Sequence, residues 1–336
     1  MFNKKYNKKK MKNKVCFIIP HFGRLQSYFQ LFLKTCSYNK NFDWLLITDE
    51  RTKYAFPQNV RVVHMSYQDN ASLIQSKFDF PIALHKAYKL CDFRPAYGYI
   101  YSDFLKGYSH WGHCDTDVLM GCLDNFITDR LLDKYDKMFC LGHMTIYKNT
   151  EENNRIFMNS LHGVPVFKDV LSSDVSCCFD EDWKDDHNIY TLYRKAGKSV
   201  FTKDCSLNID FGSTRFVRVI YVGKEIPNNG HGFVYEKYKP AVYLWDNGHI
   251  YRYFKENNEL KKEEFMYIHL QRRKMKNKVD NQANIIKIVP NSFLPLEVDK
   301  VTLETFDRIK KTDRNNHFWL IKVLPRLKNL RKKLGL

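Results

Sequence analysis

The 336-residue sequence predicts an α/β protein: a Rossmann-like mixed sheet flanked by helices leads into a β-rich part and then a basic C-terminal helix. Apolar runs alternate with a helical pattern near the N-terminus, alternating strand patterns follow residue 214, and leucines recur at helical spacing near the end. Strand, helix, strand in that order is what a parallel βαβ start requires.

The first strand is VCFIIP (15–20), a continuous apolar run that suits burial on both faces. LQSYFQLFLKTC (25–36) places Leu25, Tyr28, Phe29, Phe32 and Cys36 at helical spacing. DWLLITD (43–49) and NVRVVHM (59–65) are the next strands. Residues 81–106 read as two helices around Pro95, and SHWGHCDTDVLMG (109–121) as a short strand running into two acids. KMFCLGH (137–143) and TIYKN (145–149) are further strands, followed by a helix at 151–160. Residues 161–212 read as loop-rich, with one helix over NIYTLYRKAG that closes on Gly197. Then come RFVRVIYV, AVYLW, HIYRYF and EFMYIHLQ as strands, with a turn at Asp246-Asn247-Gly248.

The division expected is a basic disordered tail (1–13), a first half to residue 150, a β-rich half (151–290) and a helical basic segment (291–336). Met11 is an alternative start to Met1. The net charge of +18 is uneven: residues 1–14 hold seven Lys and no acid, and residues 321–336 hold six basic residues and no acid. The body is thus nearly balanced. That argues against a specific nucleic-acid partner, since the charge sits at the ends and the aromatics lie in apolar runs. A 44% hydrophobic fraction supports a full core, and no apolar run approaches the roughly 20 residues of a membrane span. Nine cysteines without metal-type spacing are expected as reduced thiols in a cytoplasmic protein.

The local signal that carries chemistry is Asp115-Thr116-Asp117 after the apolar WGHC. Alternate residues of a strand share a side, so at a strand's C-terminal end both carboxylates aim at one point. Two hard oxygen donors suit Mn²⁺ or Mg²⁺, which bridge nucleotide pyrophosphates. The competing interpretation is a pair of ordinary strand-end acids.

Several longer segments add to this: IIPHFGRLQSYFQLFLKTC (18–36), LLITDE (45–50), SKFDF (76–80), YKLCDFRPAYGYI (88–100), GHCDTDVLMG (112–121), LGHMTIYKN (141–149) and EFMYIHLQRRKM (264–275). With them the chain resembles nucleotide-sugar-dependent glycosyltransferases of the GT-A fold. More closely, it resembles an uncharacterised bacterial family found among capsule and surface-polysaccharide genes.

The resemblance implies a GT-A-like fold, a nucleotide-sugar donor and a glycan or lipid-linked glycan acceptor. Pro20, His21, Phe22 and Gly23 would lie against the nucleoside, and Asp49 would accept hydrogen bonds from base or ribose, unless it is a turn acid. Lys89 and Arg94 would meet donor phosphates and Asp92 the ribose or sugar, unless they form a solvated helix face. His269 would complete the metal site with Asp115 and Asp117, unless it is a satisfied sheet histidine, and Gln271-Arg272-Arg273-Lys274 would offset leaving-group charge, unless they form a plain surface run. The expected catalytic base lies among Asp180, Glu181 and Asp182, with Asp185, Asp186 and His187 close behind; a solvated acidic loop is the alternative. His143 would face donor sugar or acceptor.

Leu324, Leu327, Leu330 and Leu334 share one helical face among Lys and Arg within 318–334, the pattern of an interfacial helix on the anionic inner face of a plasma membrane. A capping helix packed on the body fits the same pattern. A protein that binds nucleotide or nucleic acid without catalysis is the remaining functional alternative.

Overall fold

The computed structural model describes residues 12–182, 186–209, 215–223, 232–310 and 323–334. Its main sheet has seven strands: β1 (Val15–Pro20), β2 (Phe42–Thr48), β3 (Val60–His64), β4 (His110–Cys114), β6 (Lys137–Met138), β7 (Met144–Lys148) and β8 (Val200–Phe201). They lie in the order β3-β2-β1-β4-β7-β6-β8. β3, β2, β1 and β4 run parallel, whereas β7 is antiparallel to both β4 and β6. The order reverses between β1 and β4, the crevice where open α/β sheets bind ligands.

The helix Phe29–Ser37 buries Phe29, Phe32, Leu33 and Cys36 on one side of this sheet, against Phe17, Trp44 and Leu46. On the other side Trp111 and Tyr147 stack with ring centroids 4.3 Å apart and pack with Phe93, Tyr97 and Ile100. Residues 87–105 are a chain of one-turn helical pieces, not two helices. Pro95 lacks an N–H for a continuous helix, and none of these pieces has a side-chain cap. The strand expected over 137–143 stops at Met138, because Phe139 takes a φ of 71°. A helix at Val166–Ser172 lies inside the region expected to be loop.

A four-stranded sheet follows, ordered β10-β9-β16-β5, from β5 (Val118–Met120), β9 (Leu207–Ile209), β10 (Phe216–Val217) and β16 (Tyr267–His269). β11 (Val219–Tyr221) and β12 (Phe233–Tyr235) form a hairpin. A six-stranded sheet orders β15-β14-β13-β18-β19-β17 from β13 (Ala241–Asp246), β14 (His249–Glu256), β15 (Glu259–Phe265), β17 (Lys276–Asn277), β18 (Ile285–Val289) and β19 (Ser292–Leu294). The structure is therefore mixed α/β with a β-rich C-terminal region. The β18–β19 hairpin straddles the boundary expected at 290, so residues from 291 begin as sheet before the helices Leu303–Ile309 and Leu324–Lys333.

Residues 1–11 of the expected tail and 318–322 of the expected interfacial helix lie outside the described residues. Lys12 and Asn13, assigned to the tail, are instead anchored: their backbone N–H groups donate to the Asp129 carboxylate at 3.0 and 2.9 Å. All nine cysteines are free thiols, five of them buried. No helix among the described residues is long and apolar enough to cross a membrane.

Close approach of β4 and β7 depends on Gly112, where a Cβ would stand 2.4 Å from the Thr145 carbonyl oxygen. A backbone oxygen in a central strand cannot rotate away. Gly112→Ala is expected to destabilise the fold by about 1–3 kcal/mol in denaturant unfolding; unchanged stability would show that β4 and β7 can separate freely.

Candidate functional site

After β4 the chain turns at Asp115-Thr116-Asp117 into β5. Two backbone hydrogen bonds hold the turn: the Asp115 N–H donates to the His143 carbonyl at 3.0 Å, and the Leu270 N–H donates to the Asp117 carbonyl at 2.9 Å. β5 pairs antiparallel with β16, setting Val118 opposite His269. That register delivers the imidazole to the acids. Nε2 of His269 lies 3.6 Å from Asp115 Oδ2 and 3.6 Å from Asp117 Oδ1, and one ligand atom from each residue falls within 4.8 Å of the other two. Oxygen and nitrogen ligands about 2.1 Å from a small divalent cation are roughly 3–4.2 Å apart, so donor set and spacing fit Mg²⁺ or Mn²⁺.

Charge points the same way. Asp115 and Asp180 both accept from the Arg94 guanidinium, so two carboxylates share one guanidinium, while Asp117 stands beside the His269 imidazole. Burial raises the pKa of Asp117, opposed by His269. The Arg272 N–H donates to Asp117 Oδ2. Gln271 and Arg272 are both left-handed, with φ of 45° and 57°, a conformation that is costly for non-glycine residues and concentrates at functional sites.

Beside these residues opens a cavity of about 790 Å³ at the carboxyl ends of β1 and β4, a size suited to a small-molecule ligand. Pro20, His21 and Phe22 line it, together with Arg94, His113, Asp115, Asp117, His143, Glu181, His269 and Arg272. Gly23 and Asp49 do not. Gly23 has a φ of +90° and donates its N–H to Asp49 Oδ1 at 2.8 Å, so Asp49 braces the loop that carries His21 and Phe22. Asp49 is exposed, with its Oδ1 committed to that N–H.

The phosphate and ribose contacts expected of Lys89 and Asp92 do not fit their surroundings. Lys89 is buried, and all three of its donors are used: to Asp92 Oδ2 at 2.8 Å, to the Val170 carbonyl at 2.8 Å and to the Val175 carbonyl at 2.7 Å. Asp92 in turn accepts from the backbone N–H of Cys177 and Phe179 at 2.9 and 3.1 Å. This closed knot has no hydrogen left for a phosphate; it shapes the loop leading to Asp180. Arg94 lines the cavity with its guanidinium on Asp115, on Asp180 at 2.7 Å and on the Gly142 carbonyl at 2.9 Å.

The acidic run separates into three environments. Asp180 is buried on Arg94, and Asp182 is buried with Asn188 Nδ2 at 3.3 Å and the Tyr221 hydroxyl at 3.2 Å. Neither suits a catalytic base. Glu181 faces the cavity, where burial and then Asp180 push its carboxyl up to about 7. Asp186 and His187 are exposed, and Asp185 lies outside the described residues. In the basic run, Arg273 is buried on the Pro290 carbonyl and Asn291 Oδ1, at 3.2 and 3.1 Å, while Lys274 is exposed. Arg272 alone of the three lines the cavity, its guanidinium 4.4 Å from the Tyr88 ring at the rim.

His143 packs on His269 with ring centroids 4.5 Å apart; its Nδ1 is 2.6 Å from the Tyr267 hydroxyl and its Nε2 has no hydrogen-bond partner among the described residues. Burial, then His269 and Arg94, keep its pKa well below the usual imidazole value. Sequence reasoning missed His113, Tyr88 and Asn208 as lining residues. Alternation along β4 places His113 on the opposite side from Cys114, a signal that was available; nothing local distinguishes Asn208.

Glu181 gives a pH test. Its folded-state pKa exceeds its usual 4.5, so its contribution to stability is full below that value and is lost as pH rises through about 7. Glu181→Gln, neutral throughout, is expected to gain on the parent protein between about pH 5 and about pH 8 by on the order of 1–3 kcal/mol. Thermal unfolding in chelator checks this; a difference independent of pH would place Glu181 in solvent.

Comparison with curated protein sequences finds no match. Residues 17–297, most of the chain and the whole of the site, match one family, and the protein belongs to it: a family of unknown function, DUF6625.

Proposed function

We propose that the chain is a metal-dependent glycosyltransferase of GT-A type, moving a sugar from a nucleotide-sugar donor to a growing bacterial surface glycan. The observation that carries this is the convergence of Asp115, Asp117 and His269 at the edge of a cavity on the β1/β4 switch point. The chain's resemblance to such enzymes over residues 18–275 supports it as well.

In this reading Asp115, Asp117 and His269 hold Mn²⁺ or Mg²⁺, which supplies positive charge to the diphosphate of the donor. Pro20, His21 and Phe22 bound the nucleoside end, and Arg272 at the rim meets the phosphates. Glu181 is the base that takes the acceptor hydroxyl proton if the reaction inverts configuration; its carboxyl near 7 is poised for that work. Asp180, neutralised by Arg94, positions Glu181 and does not react.

The acceptor is lipid-linked in this proposal, and the helix Leu324–Lys333 is its contact with an anionic membrane face. Leu327, Leu330 and Leu334 are 48, 54 and 63% exposed at helical spacing, and residues 321–336 carry six basic residues and no acid.

Calorimetric titration with nucleoside diphosphates, with and without Mn²⁺, tests the central claim. Binding that requires Mn²⁺, and its loss in Asp115→Asn with Asp117→Asn while unfolding stays cooperative, are expected. Absence of binding under every condition would remove the glycosyltransferase reading. For the membrane contact, Leu327→Glu with Leu330→Glu should lower co-sedimentation with phosphatidylglycerol vesicles several-fold; undiminished co-sedimentation would refute it.

A further inference from the structure

His269 presents Nε2 to the two acids only if its other nitrogen is satisfied elsewhere. That nitrogen, Nδ1, lies 3.0 Å from Asn208 Oδ1. Asn208 sits on β9, directly across the parallel β9–β16 pairing from His269. Its Nδ2 donates to Ser206 Oγ at 3.0 Å, and Ser206 Oγ donates to Asp204 Oδ1 at 2.6 Å. The Ser206 backbone N–H donates to the same Asp204 oxygen at 2.7 Å. Asp204, Ser206 and Asn208 are all buried.

The direction of every proton follows from Asp204. Its Oδ1 already receives a backbone N–H, so it can only accept. The Ser206 hydroxyl must therefore point its one hydrogen there, which leaves its lone pairs to accept. One takes the Asn208 amide hydrogen, turning Asn208 Oδ1 towards His269 as an acceptor. Burial pushes the Asp204 carboxyl up to about 6, so it is ionised at neutral pH.

We infer that Asp204, Ser206 and Asn208 are positioning residues that hold His269 with its proton on Nδ1, aiming the Nε2 lone pair at a divalent cation on Asp115 and Asp117. One buried carboxylate thus sets the tautomer of the imidazole that faces the two acids. The inference rests on the reading of Asp115, Asp117 and His269 as metal ligands, and it needs no assumption about the sugar or the acceptor.

The test is Mn²⁺ affinity, read from the free-ion electron paramagnetic resonance signal without nucleotide. Asn208→Leu, which deletes the acceptor, is expected to weaken Mn²⁺ binding about 10–100-fold, the usual effect of losing such a partner. Asn208→Asp, which keeps an acceptor oxygen on His269, should rescue it to within a few-fold of the parent protein. Asn208→Leu with unchanged affinity, where His269→Ala loses the ion, would overturn the positioning role and leave the metal site standing. If His269→Ala also binds as before, the metal reading itself falls. Should Asn208→Leu fail to fold, ¹⁵N imidazole shifts of the Mg²⁺-loaded parent protein decide: Nδ1 of His269 must carry the proton, and an unprotonated Nδ1 overturns the proposal.

Discussion

The antiparallel pairing of β5 with β16 is the constraint on which the site depends. β5 follows directly from the acids, and β16 carries His269, so the register that places Val118 across from His269 also brings carboxylate and imidazole together. β16 has a second neighbour, β9, whose Asn208 stands beside the same histidine. A strand flanked on both edges cannot slip by one residue without turning His269 away from the cavity and Tyr267 out of the core beside it. Behind it, the Trp245 indole N–H donates to the Met120 carbonyl at 3.0 Å, tying the six-stranded sheet to the end of β5. The β-rich part is thereby a structural wall of the site and not an appendage.

Electrostatics divides the charged residues around the cavity into those already balanced and those left open. Lys89 and Asp92 neutralise each other in a buried pair whose remaining hydrogen-bonding groups are satisfied by backbone, so the pair costs little as it stands and much if one partner is removed. Arg94 serves two carboxylates at once and cannot balance Asp117 as well. The surplus of negative charge sits where the three metal-type ligands converge. Glu181, next to a carboxylate already committed to Arg94, is left facing the cavity, with burial and its neighbour both favouring the proton. The histidines follow the opposite logic: burial keeps His113 and His143 neutral, so both are present as hydrogen-bonding groups and not as cations.

Much of this architecture is legible in the chain. The apolar runs read at 15–20 and 43–49 became parallel neighbours, and the two acids at the end of β4 line one cavity. The helical segment around Pro95 was less legible, because composition favours helix while proline and the lack of caps break it into single turns. The roles of Lys89, Asp92 and Arg273 were misjudged for one reason: a charged residue in an amphipathic or loop segment has the same local pattern whether its head group meets solvent, ligand or a buried partner.

Periodicity and residue chemistry by themselves determined the βαβ start, the β-rich second half, the basic ends and the pair of carboxylates that a metal would need. They could do so because each is a local property, set by which face a side chain takes and what atoms it carries. Tertiary structure alone decided which acid of 180–182 stays open, that Asp49 braces a loop, and that Asn208 reaches His269. Those outcomes depend on strand order and register between segments far apart in the chain, where only the packed fold chooses the partner of a buried polar group.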